Sequence, residues 1–349
     1  MTRVQDKPFE PDRAIYTPAE TSRYGLQRIE DIQANQNRAL RFFIPGISDY
    51  IAPLLPGQVC GIIGQTSNYK SGFIDAWEEA EATRLNNEGR TNECIVHVSV
   101  EETVEEQAFR GFARESGISM KEISRGEIQD WNQLERAAIK IGNIPIYRIG
   151  DSLARAEDFP RLYLSNMIRA IRFLRDELLE NKIEIAALFF DYLQAFPIDP
   201  EVARADIENQ RRLQVREDVY RLMSCARLFK APTVVNVQAK QMLTGAPSKK
   251  LYIPGKYDGE ETSSIGQRWD RLIGLWMPKS DLMPGEEVEW KGINYTVEEN
   301  LLFVRALKQR GGLPSGRIWK CRIDFNRNRI LQEVIEGMNP FDGSFEIRS

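Results

Sequence analysis

Short apolar runs alternate with amphipathic segments along most of the chain. The runs GQVCGIIG (57–64) and ECIVHVSVE (93–101) predict strands, and each is followed by a segment whose apolar residues recur at helical spacing. Two later runs, IEIAALFFDYLQ (183–194) and APTVVNVQ (231–238), are apolar at nearly every position, which is typical of strands buried on both faces. The pattern therefore predicts an α/β fold with a mostly parallel sheet and helices on both faces.

The N-terminal segment follows a different pattern. Residues 1–17 are rich in proline, aspartate and arginine, which predicts a flexible arm. Between residues 20 and 33, Leu26, Ile29 and Ile32 recur every third position among charges and predict a short amphipathic helix. Its apolar stripe either packs back on its own domain or docks on a neighbouring subunit. We divide the chain into an arm (1–17), a linker helix (18–39) and a main domain (40–349).

Two polar stretches interrupt the main domain. Residues 239–263 are too long and too polar for a tight connection and predict a functional or mobile loop. Residues 278–297 are acidic and predict a surface hairpin or insertion. No apolar run approaches the roughly 18 residues of a membrane-spanning helix, and 42% hydrophobic with 28% charged residues is ordinary for a soluble globular protein.

Charge and cysteine content narrow the function classes. The net charge is −4, whereas proteins that bind nucleic acid over their whole surface are usually basic. Nucleic-acid binding therefore requires cations concentrated in loops or in a channel; the alternative is a solvated acidic surface. The four cysteines form no CxxC pair and His97 is the single histidine, which argues against a zinc site. Scattered cysteines and the lack of an apolar signal sequence lead us to expect a cytoplasmic protein.

The stretch GIIGQTSNYKSGFI (61–74) has the outline of a phosphate-binding loop. Such a loop needs G-x-x-x-x-G-K-[ST] between a strand and a helix, so that backbone amides and the lysine hold phosphates and the hydroxyl ligates Mg²⁺. Gly64, Lys70 and Ser71 keep this spacing, but Tyr69 replaces the second glycine. If that position needs positive φ, the tyrosine costs about 1–2 kcal/mol. The candidate nucleotide-binding residues are Gly64, Gln65, Thr66, Ser67, Asn68, Tyr69, Lys70 and Ser71.

Polar residues end three of the predicted strands. They are Glu101, Asp191 and Gln238. The carboxyl ends of parallel strands form the edge where open α/β sheets bind ligands. At that edge a glutamate can deprotonate an attacking water, an aspartate can hold the water shell of Mg²⁺, and an amide can sense a γ-phosphate. Each residue also has an ordinary interpretation, because acids favour helix starts and polar residues often end strands.

Two cations end the predicted strand LLFVRALK near the C-terminus. Lys308 and Arg310 precede a pair of glycines and can both project beyond the sheet. Cations at such a tip are usually solvated. In a ring-forming ATPase they can instead reach the γ-phosphate bound by a neighbouring subunit.

Taken in order, these motifs resemble the RecA-like motor domain of DnaB-type replicative helicases. The resemblance spans about residues 40–330 and implies a RecA-like P-loop NTPase core. It includes no counterpart of the family's N-terminal domain, which typically contacts primase. The matching stretches are PGISDYIAPLLPGQVCGIIG, VSVEETVEEQAFRGFA, DWNQLERAAIKIGNIPIY, FFDYLQAF, KAPTVVNVQAKQ, ETSSIGQRWDRLIGLW and ALKQRGGLPSG.

The resemblance implies a role for each matched residue of one subunit. Lys70 would serve the phosphates of ATP, and Ser71 and Asp191 would hold Mg²⁺. Glu101 matches the family's catalytic glutamate, and Gln238 matches its γ-phosphate-sensing glutamine. ATP and Mg²⁺ are therefore the expected cofactors.

The resemblance also implies partners. Lys308 and Arg310 match the residues that act on the nucleotide of the adjacent subunit, so a homo-oligomeric ring, a hexamer, is expected, with the linker helix docked on a neighbour. Single-stranded DNA would thread through that ring, and a separate loader or primase is a further expected partner. The candidate DNA-binding residues are Arg204, Arg211, Arg212, Lys240, Lys249, Lys250 and Lys256.

The loop departs from the family at Ser67 and Tyr69, where glycines are typical. Because the catalytic charges are otherwise present, we favour a working but slow ATPase that drives a DNA helicase or translocase in replication. Two alternatives remain: a RecA-fold DNA-binding scaffold or regulator with weak or no hydrolysis, and an ATPase that remodels protein partners.

Overall fold

The computed structural model describes most of the main domain and the linker helix. The residues described are 15–44, 46–154, 162–199, 207–240, 253–259, 264–290, 293–310 and 318–332. Nearly all of the predicted N-terminal arm and the centre of the predicted 239–263 loop lie outside them. In the described part of the chain, no helix is long and apolar enough to cross a membrane.

Helices and strands alternate along the chain as the apolar pattern predicts. The helices are α1 (Pro18–Ala34), α2 (Lys70–Asn87), α3 (Val104–Ser116), α4 (Met120–Arg125), α5 (Trp131–Gly142), α6 (Leu164–Glu180), α7 (Ile207–Phe229) and α8 (Ser264–Arg268). The strands are β1 (Val59–Gly64), β2 (Glu93–Ser99), β3 (Ile146–Ile149), β4 (Glu184–Asp191), β5 (Thr233–Gln238), β6 (Arg271–Trp276), β7 (Glu287–Trp290), β8 (Ile293–Thr296), β9 (Leu301–Gln309), β10 (Ile318–Asp324) and β11 (Arg329–Gln332).

Nine of these strands form one sheet in the order β11-β10-β9-β6-β1-β5-β4-β2-β3. Strands β1 to β6 pair in parallel, whereas β9, β10 and β11 add an antiparallel edge. The mostly parallel α/β sheet is therefore confirmed. Strands β7 and β8 pair only with each other, so the acidic stretch 278–297 contains the predicted hairpin.

Alternate residues of the central strands pack into two separate hydrophobic cores. Ile63 and Phe190 pack with α6 and α7 on one face of the sheet. Ile62 and Phe189 pack with α2 and with residues 40–54 on the other face. Because successive side chains of a strand point to opposite faces, two covered faces require apolar residues at every position. This requirement explains the uninterrupted apolar runs in the sequence.

Helix α1 forms where the apolar stripe predicts it. Thr17 and Glu20 make a capping box at its start, with Pro18 as the first helical residue. No residue of this helix is buried, and Leu26 and Ile29 are each 61% exposed. The stripe therefore does not pack on the described part of its own domain.

Candidate nucleotide-binding site

The carboxyl ends of four parallel strands meet at one edge of the sheet. Gly64, the last residue of β1, is level with Gln238, the last residue of β5. Ser99, the last residue of β2, is level with Asp191, the last residue of β4. Glu101 follows β2 by two residues instead of ending the strand itself. The parallel topology therefore brings the predicted strand-end residues to the same edge.

The loop between β1 and α2 contains backbone conformations that usually favour glycine. Ser67 and Tyr69 both have left-handed backbones, with φ of 64° and 60°. The side-chain oxygen of Asn68 accepts a hydrogen bond of 2.5 Å from the Met277 amide, which fastens the loop to the end of β6. Position 69 thus needs positive φ, and the tyrosine adopts it. Lys70 and Ser71 then form the first turn of α2.

Lys70 lies at the centre of a hydrogen-bonded group. Its side chain is buried, and Nζ donates to the carbonyl of Gln65 at 2.8 Å and to Oε1 of Gln238 at 2.9 Å. The amide nitrogen of Gln238 donates to the hydroxyl of Thr66 at 2.7 Å. One glutamine therefore contacts both the lysine and the loop.

The backbone of Gln238 is held by Gln194, a residue to which the sequence assigned no role. The Gln238 amide donates to Oε1 of Gln194 at 2.9 Å, and Nε2 of Gln194 donates to the Gln238 carbonyl at 3.1 Å. The guanidinium of Arg211 donates in turn to the carbonyls of Gln194 and Phe196. Arg211, a candidate DNA-binding residue, is thus engaged with the main chain beside the site.

Asp191 is almost completely buried and only half satisfied. Oδ1 accepts a 2.8 Å hydrogen bond from Nδ2 of Asn236, whereas Oδ2 has no hydrogen-bond partner among the described residues. Buried carboxylate oxygens are rarely left unpaired, and carboxylates with hydroxyls are ligands that Mg²⁺ accepts directly or through water. Asp191 and Ser71 therefore fit a Mg²⁺ ion. The polar Asn236 within the apolar run VVNVQ was the signal that could have identified this partner.

Glu101 has the electrostatic environment of a general base. The side chain is exposed, yet partial desolvation raises the pKa of Glu101, and the negative charges of Asp191 and Glu102 raise it further. The positive charges of Lys70 and Arg110 oppose this shift. A carboxylate with a raised pKa is a better proton acceptor, provided that it remains ionised at the working pH.

Ion pairs anchor the turn that carries Glu101. Arg110 of α3 pairs with both Glu102 and Asp75, and so joins the turn to α2. This anchor fixes the residue directly after Glu101.

A second buried group lies beneath that turn. Nδ1 of His97 lies 2.5 Å from a carboxylate oxygen of Glu78, whose other oxygen accepts from Arg148 at 2.8 Å. Burial opposes the ionisation of Glu78, but Arg148 and His97 outweigh it and hold its pKa at about 2. The single histidine of the chain therefore has a structural role.

The two predicted finger residues lie at the opposite edge of the sheet. Lys308 is level with Leu272, and the Arg310 amide donates to the Asp270 carbonyl at 2.8 Å, at the start of β6. Leu272 is level with Gly61, three residues before Gly64, so Lys308 lies about 10 Å along the strands from Gly64, on a strand two positions away, and Arg310 lies farther still. The structure therefore does not bring them to the phosphate-binding loop of their own chain.

Both cations make polar contacts at that edge. Lys308 Nζ donates to the Gln267 carbonyl at 2.8 Å, and the Arg310 guanidinium lies 3.4 Å from a carboxylate oxygen of Asp270. Desolvation and the neighbouring Arg310 lower the pKa of Lys308. The Arg310 side chain is 56% exposed, so its ion pair with Asp270 is a weak one that a partner can displace.

The remaining candidate DNA-binding residues are spread over two segments. Arg212, Lys240 and Lys256 are exposed. Gln65 of the phosphate-binding loop donates to the Lys240 carbonyl at 3.2 Å, which connects the loop to the start of the 239–263 segment. Three further candidates lie outside the described residues: Arg204, Lys249 and Lys250.

Two solved structures share this fold. A structure described as a DnaB-like replicative helicase and its interactions with primase aligns with a TM-score of 0.60 at 16% identity, over 80% of this chain and 59% of that one. A second structure, described as an ATPase domain, aligns with a TM-score of 0.65 at 15% identity, over 89% of this chain and 98% of that one. This chain thus spans about three fifths of the helicase and nearly all of the ATPase domain. Among curated protein sequences, none matches.

Because their sequence identity to this chain is low, these two structures show the fold but not the family. A family model assigns the chain to a family. The model of the DnaB-like helicase C-terminal domain matches residues 48–314, which is well over half of the chain. The matched range contains the phosphate-binding loop, the strand-end residues, Lys308 and Arg310. This chain is therefore a member of the DnaB-like helicase C-terminal domain family.

Proposed function

We propose that this protein is an ATP-hydrolysing, ring-forming helicase or translocase that acts on single-stranded DNA during replication. The observation that carries the proposal is the assembly of Lys70, Asp191, Glu101 and Gln238 at one sheet edge, with one oxygen of Asp191 buried and unpaired. That oxygen lies at the sheet edge beside the phosphate-binding loop and is available to a Mg²⁺ ion or to a water that the ion holds.

Each residue of this edge has a distinct task in the proposed reaction. The loop amides and Lys70 bind the phosphates, and Glu101 accepts a proton from the attacking water. Ser71 and Asp191 would hold Mg²⁺, which would neutralise charge on the phosphates when bound. Gln238 contacts Lys70 directly, so a phosphate that attracts the lysine would also release the glutamine.

Assembly into a subunit ring is supported by two surfaces. Lys308 and Arg310 lie at the edge opposite their own loop, so they can act only on the nucleotide of another subunit. The apolar stripe of α1, with Leu26 and Ile29 exposed, has no partner surface on the described domain. In a hexamer both surfaces would face a neighbour, and the nucleotide would lie between subunits.

Single-stranded DNA is the proposed substrate of this ring. Exposed cations such as Lys240 and Lys256 supply local positive charge on a chain whose net charge is −4. The hydrogen bond between Gln65 and the Lys240 carbonyl provides a route from nucleotide state to DNA contact. The helicase relative interacts with primase, and we extend the expectation of a primase or separate loader to this cytoplasmic protein.

Steady-state ATP hydrolysis tests the proposal. The full chain is assayed with and without single-stranded DNA, beside Lys70→Ala and the matched control Lys121→Ala, which removes an exposed lysine of α4. We expect DNA to raise the rate several-fold, the Lys70 variant to lose it, and the control to retain it.

Two other results would identify another function. If the unchanged protein hydrolyses ATP no faster than Lys70→Ala, while that variant still binds DNA and forms oligomers, the result would indicate a DNA-binding scaffold. A substantial hydrolysis rate that DNA leaves unchanged would indicate an ATPase that remodels protein partners.

A further inference from the structure

Tyr69 stands where the phosphate-binding loop typically has a glycine, and its side chain makes several specific contacts. We propose that Tyr69 is a positioning residue that fastens this loop to the turn between β10 and β11 and so holds it in the conformation that binds phosphate. The functional half of this inference rests on the proposed nucleotide site, whereas the fastening itself does not.

On one side, the Tyr69 aromatic ring occupies a slot in helix α2. A Cβ atom added to Gly72 would lie 2.4 Å from Cζ and 2.5 Å from Cε2 of Tyr69. The ring therefore lies against the helix backbone, where only glycine leaves room. The ring is thus directed towards the helix.

On the other side, the ring contacts the turn that joins β10 to β11. The Tyr69 hydroxyl donates to the side-chain oxygen of Asn328 at 2.5 Å, and the ring of Phe325 meets Tyr69 edge to face at 5.8 Å. Asn328 is 4% exposed and is itself left-handed, with φ of 47°. Lys279 lies 5.2 Å from the centre of the Phe325 ring and covers its outer face.

These contacts explain how a tyrosine is tolerated at a left-handed position. Glycine reaches positive φ at little cost, but it also leaves the free loop many other conformations. Tyr69 carries a steric cost, which its buried ring and hydrogen bond offset in one conformation only. Burial also raises the pKa of Tyr69, so the hydroxyl stays protonated and donates to Asn328.

The inference makes an unusual prediction for Tyr69→Gly, which restores the glycine typical of the family. The substitution relieves the backbone but releases the loop, leaves the slot beside Gly72 empty and removes the donor to Asn328. We expect weaker nucleotide binding, not tighter, because the loop must then be ordered when the phosphate binds.

Amide hydrogen exchange without nucleotide tests the fastening directly. In Tyr69→Gly, exchange in residues 64–72 should accelerate by about tenfold or more, while strands β4 and β5 keep their protection. Tyr69→Phe keeps the ring and loses only the hydrogen bond, so it should give a smaller acceleration. Asn328→Gly keeps the left-handed backbone of the turn and should match Tyr69→Phe. Tyr147→Phe, on exposed β3, should change nothing.

Binding of a fluorescent ADP analogue tests the consequence for the site. Tyr69→Gly should weaken binding by about tenfold, and Tyr69→Phe should recover most of that loss. In hydrolysis, the glycine variant should raise KM for ATP more than it lowers kcat, because the loop acts before the chemical step.

The outcomes separate this inference from the proposed function. Two results with a folded Tyr69→Gly variant would overturn the positioning role even if the protein hydrolyses ATP. One is amide exchange in the loop at the same rate as in the unchanged protein, and the other is nucleotide binding that is equally tight or tighter. Should Tyr69→Gly fail to fold, Tyr69→Phe and Asn328→Gly decide by the same exchange measurement. If the unchanged protein binds no nucleotide, the proposed function fails, while accelerated exchange in the variants still supports the fastening.

Discussion

The two edges of the parallel sheet are built in opposite ways. At the carboxyl edge, Lys70, Gln238 and Asp191 are buried and joined to their neighbours by short hydrogen bonds. At the amino edge, Lys308 and Arg310 are more accessible: Lys308 donates to one carbonyl, and Arg310 donates to the Arg268 carbonyl at 3.3 Å and lies 3.4 Å from a carboxylate oxygen of Asp270. The groups at the carboxyl edge are held by contacts within one chain. The charged groups at the amino edge lie away from the phosphate-binding loop of their own chain.

This difference indicates how the proposed site is divided between subunits. Buried, mutually bonded groups are expensive to rearrange and suit the task of holding a nucleotide. Exposed cations with weak partners can be transferred to a new partner at little cost. Burial therefore agrees with the proposed division of labour, in which one chain holds the nucleotide and Arg310 of its neighbour stabilises the charge of the transition state.

The largest expected effect concerns Arg310. We expect Arg310→Ala to lower DNA-stimulated hydrolysis by about 10³-fold, which is typical of a missing arginine finger. Mixing it with Glu101→Gln should restore activity, because about a quarter of randomly formed interfaces would contain both intact residues. The measurement is the hydrolysis rate across mixing ratios. No recovery in rings shown to contain both variants would mean that Arg310 does not act across the interface.

The next effect concerns proton transfer at the carboxyl edge. Glu101→Gln removes the proposed base with little change in shape, so kcat should fall by at least about 100-fold while KM for ATP stays within about twofold. The matched control is Glu177→Gln on the exposed face of α6. A comparable fall in both variants would contradict the assignment, as would a change confined to KM.

A smaller effect, on stability, concerns the buried group beneath Glu101. Glu78→Gln leaves Arg148 and His97 without their carboxylate, so the free energy of unfolding at pH 7 should fall by about 3 kcal/mol, while Glu177→Gln changes it by less than about 0.5 kcal/mol. Urea denaturation measures both values.

The pH dependence of this stability has a definite sign. The pKa of Glu78 is about 2 in the folded protein, below its ordinary value of 4.5. Its stabilisation is therefore complete above the ordinary value and is lost as the pH falls towards 2. The difference between the unchanged protein and Glu78→Gln should shrink over that range; a constant difference would show that the charge of Glu78 is not responsible.

The smallest effect is a shift in pH dependence. Because desolvation, Asp191 and Glu102 raise the pKa of Glu101, the acidic limb of the kcat/KM profile should lie above the ordinary value of 4.5. Glu102→Gln removes one negative neighbour and frees Arg110 to favour the carboxylate, so the limb should move to lower pH. A limb that stays in place would mean that another group controls it.

The local sequence pattern was sufficient to predict the sheet and the edge at which the strand-end residues lie. The apolar runs that became β1, β4 and β5 left few alternatives, and parallel strands necessarily end at one edge. The pattern could not reveal the pairing of Gln194 with Gln238 or of Tyr69 with Asn328, because these partners lie 44 and 259 positions apart. For the same reason, the sequence left open whether α1 packs on its own domain.

The contact between Tyr69 and Gly72 also has an evolutionary consequence. While a tyrosine occupies position 69, any side chain at position 72 would overlap its aromatic ring. Once position 69 becomes glycine, this overlap no longer excludes a side chain at position 72. The two positions are therefore expected to change in a fixed order, with Tyr69 replaced before Gly72. A lineage that already carries a side chain at position 72 cannot regain the tyrosine in one step.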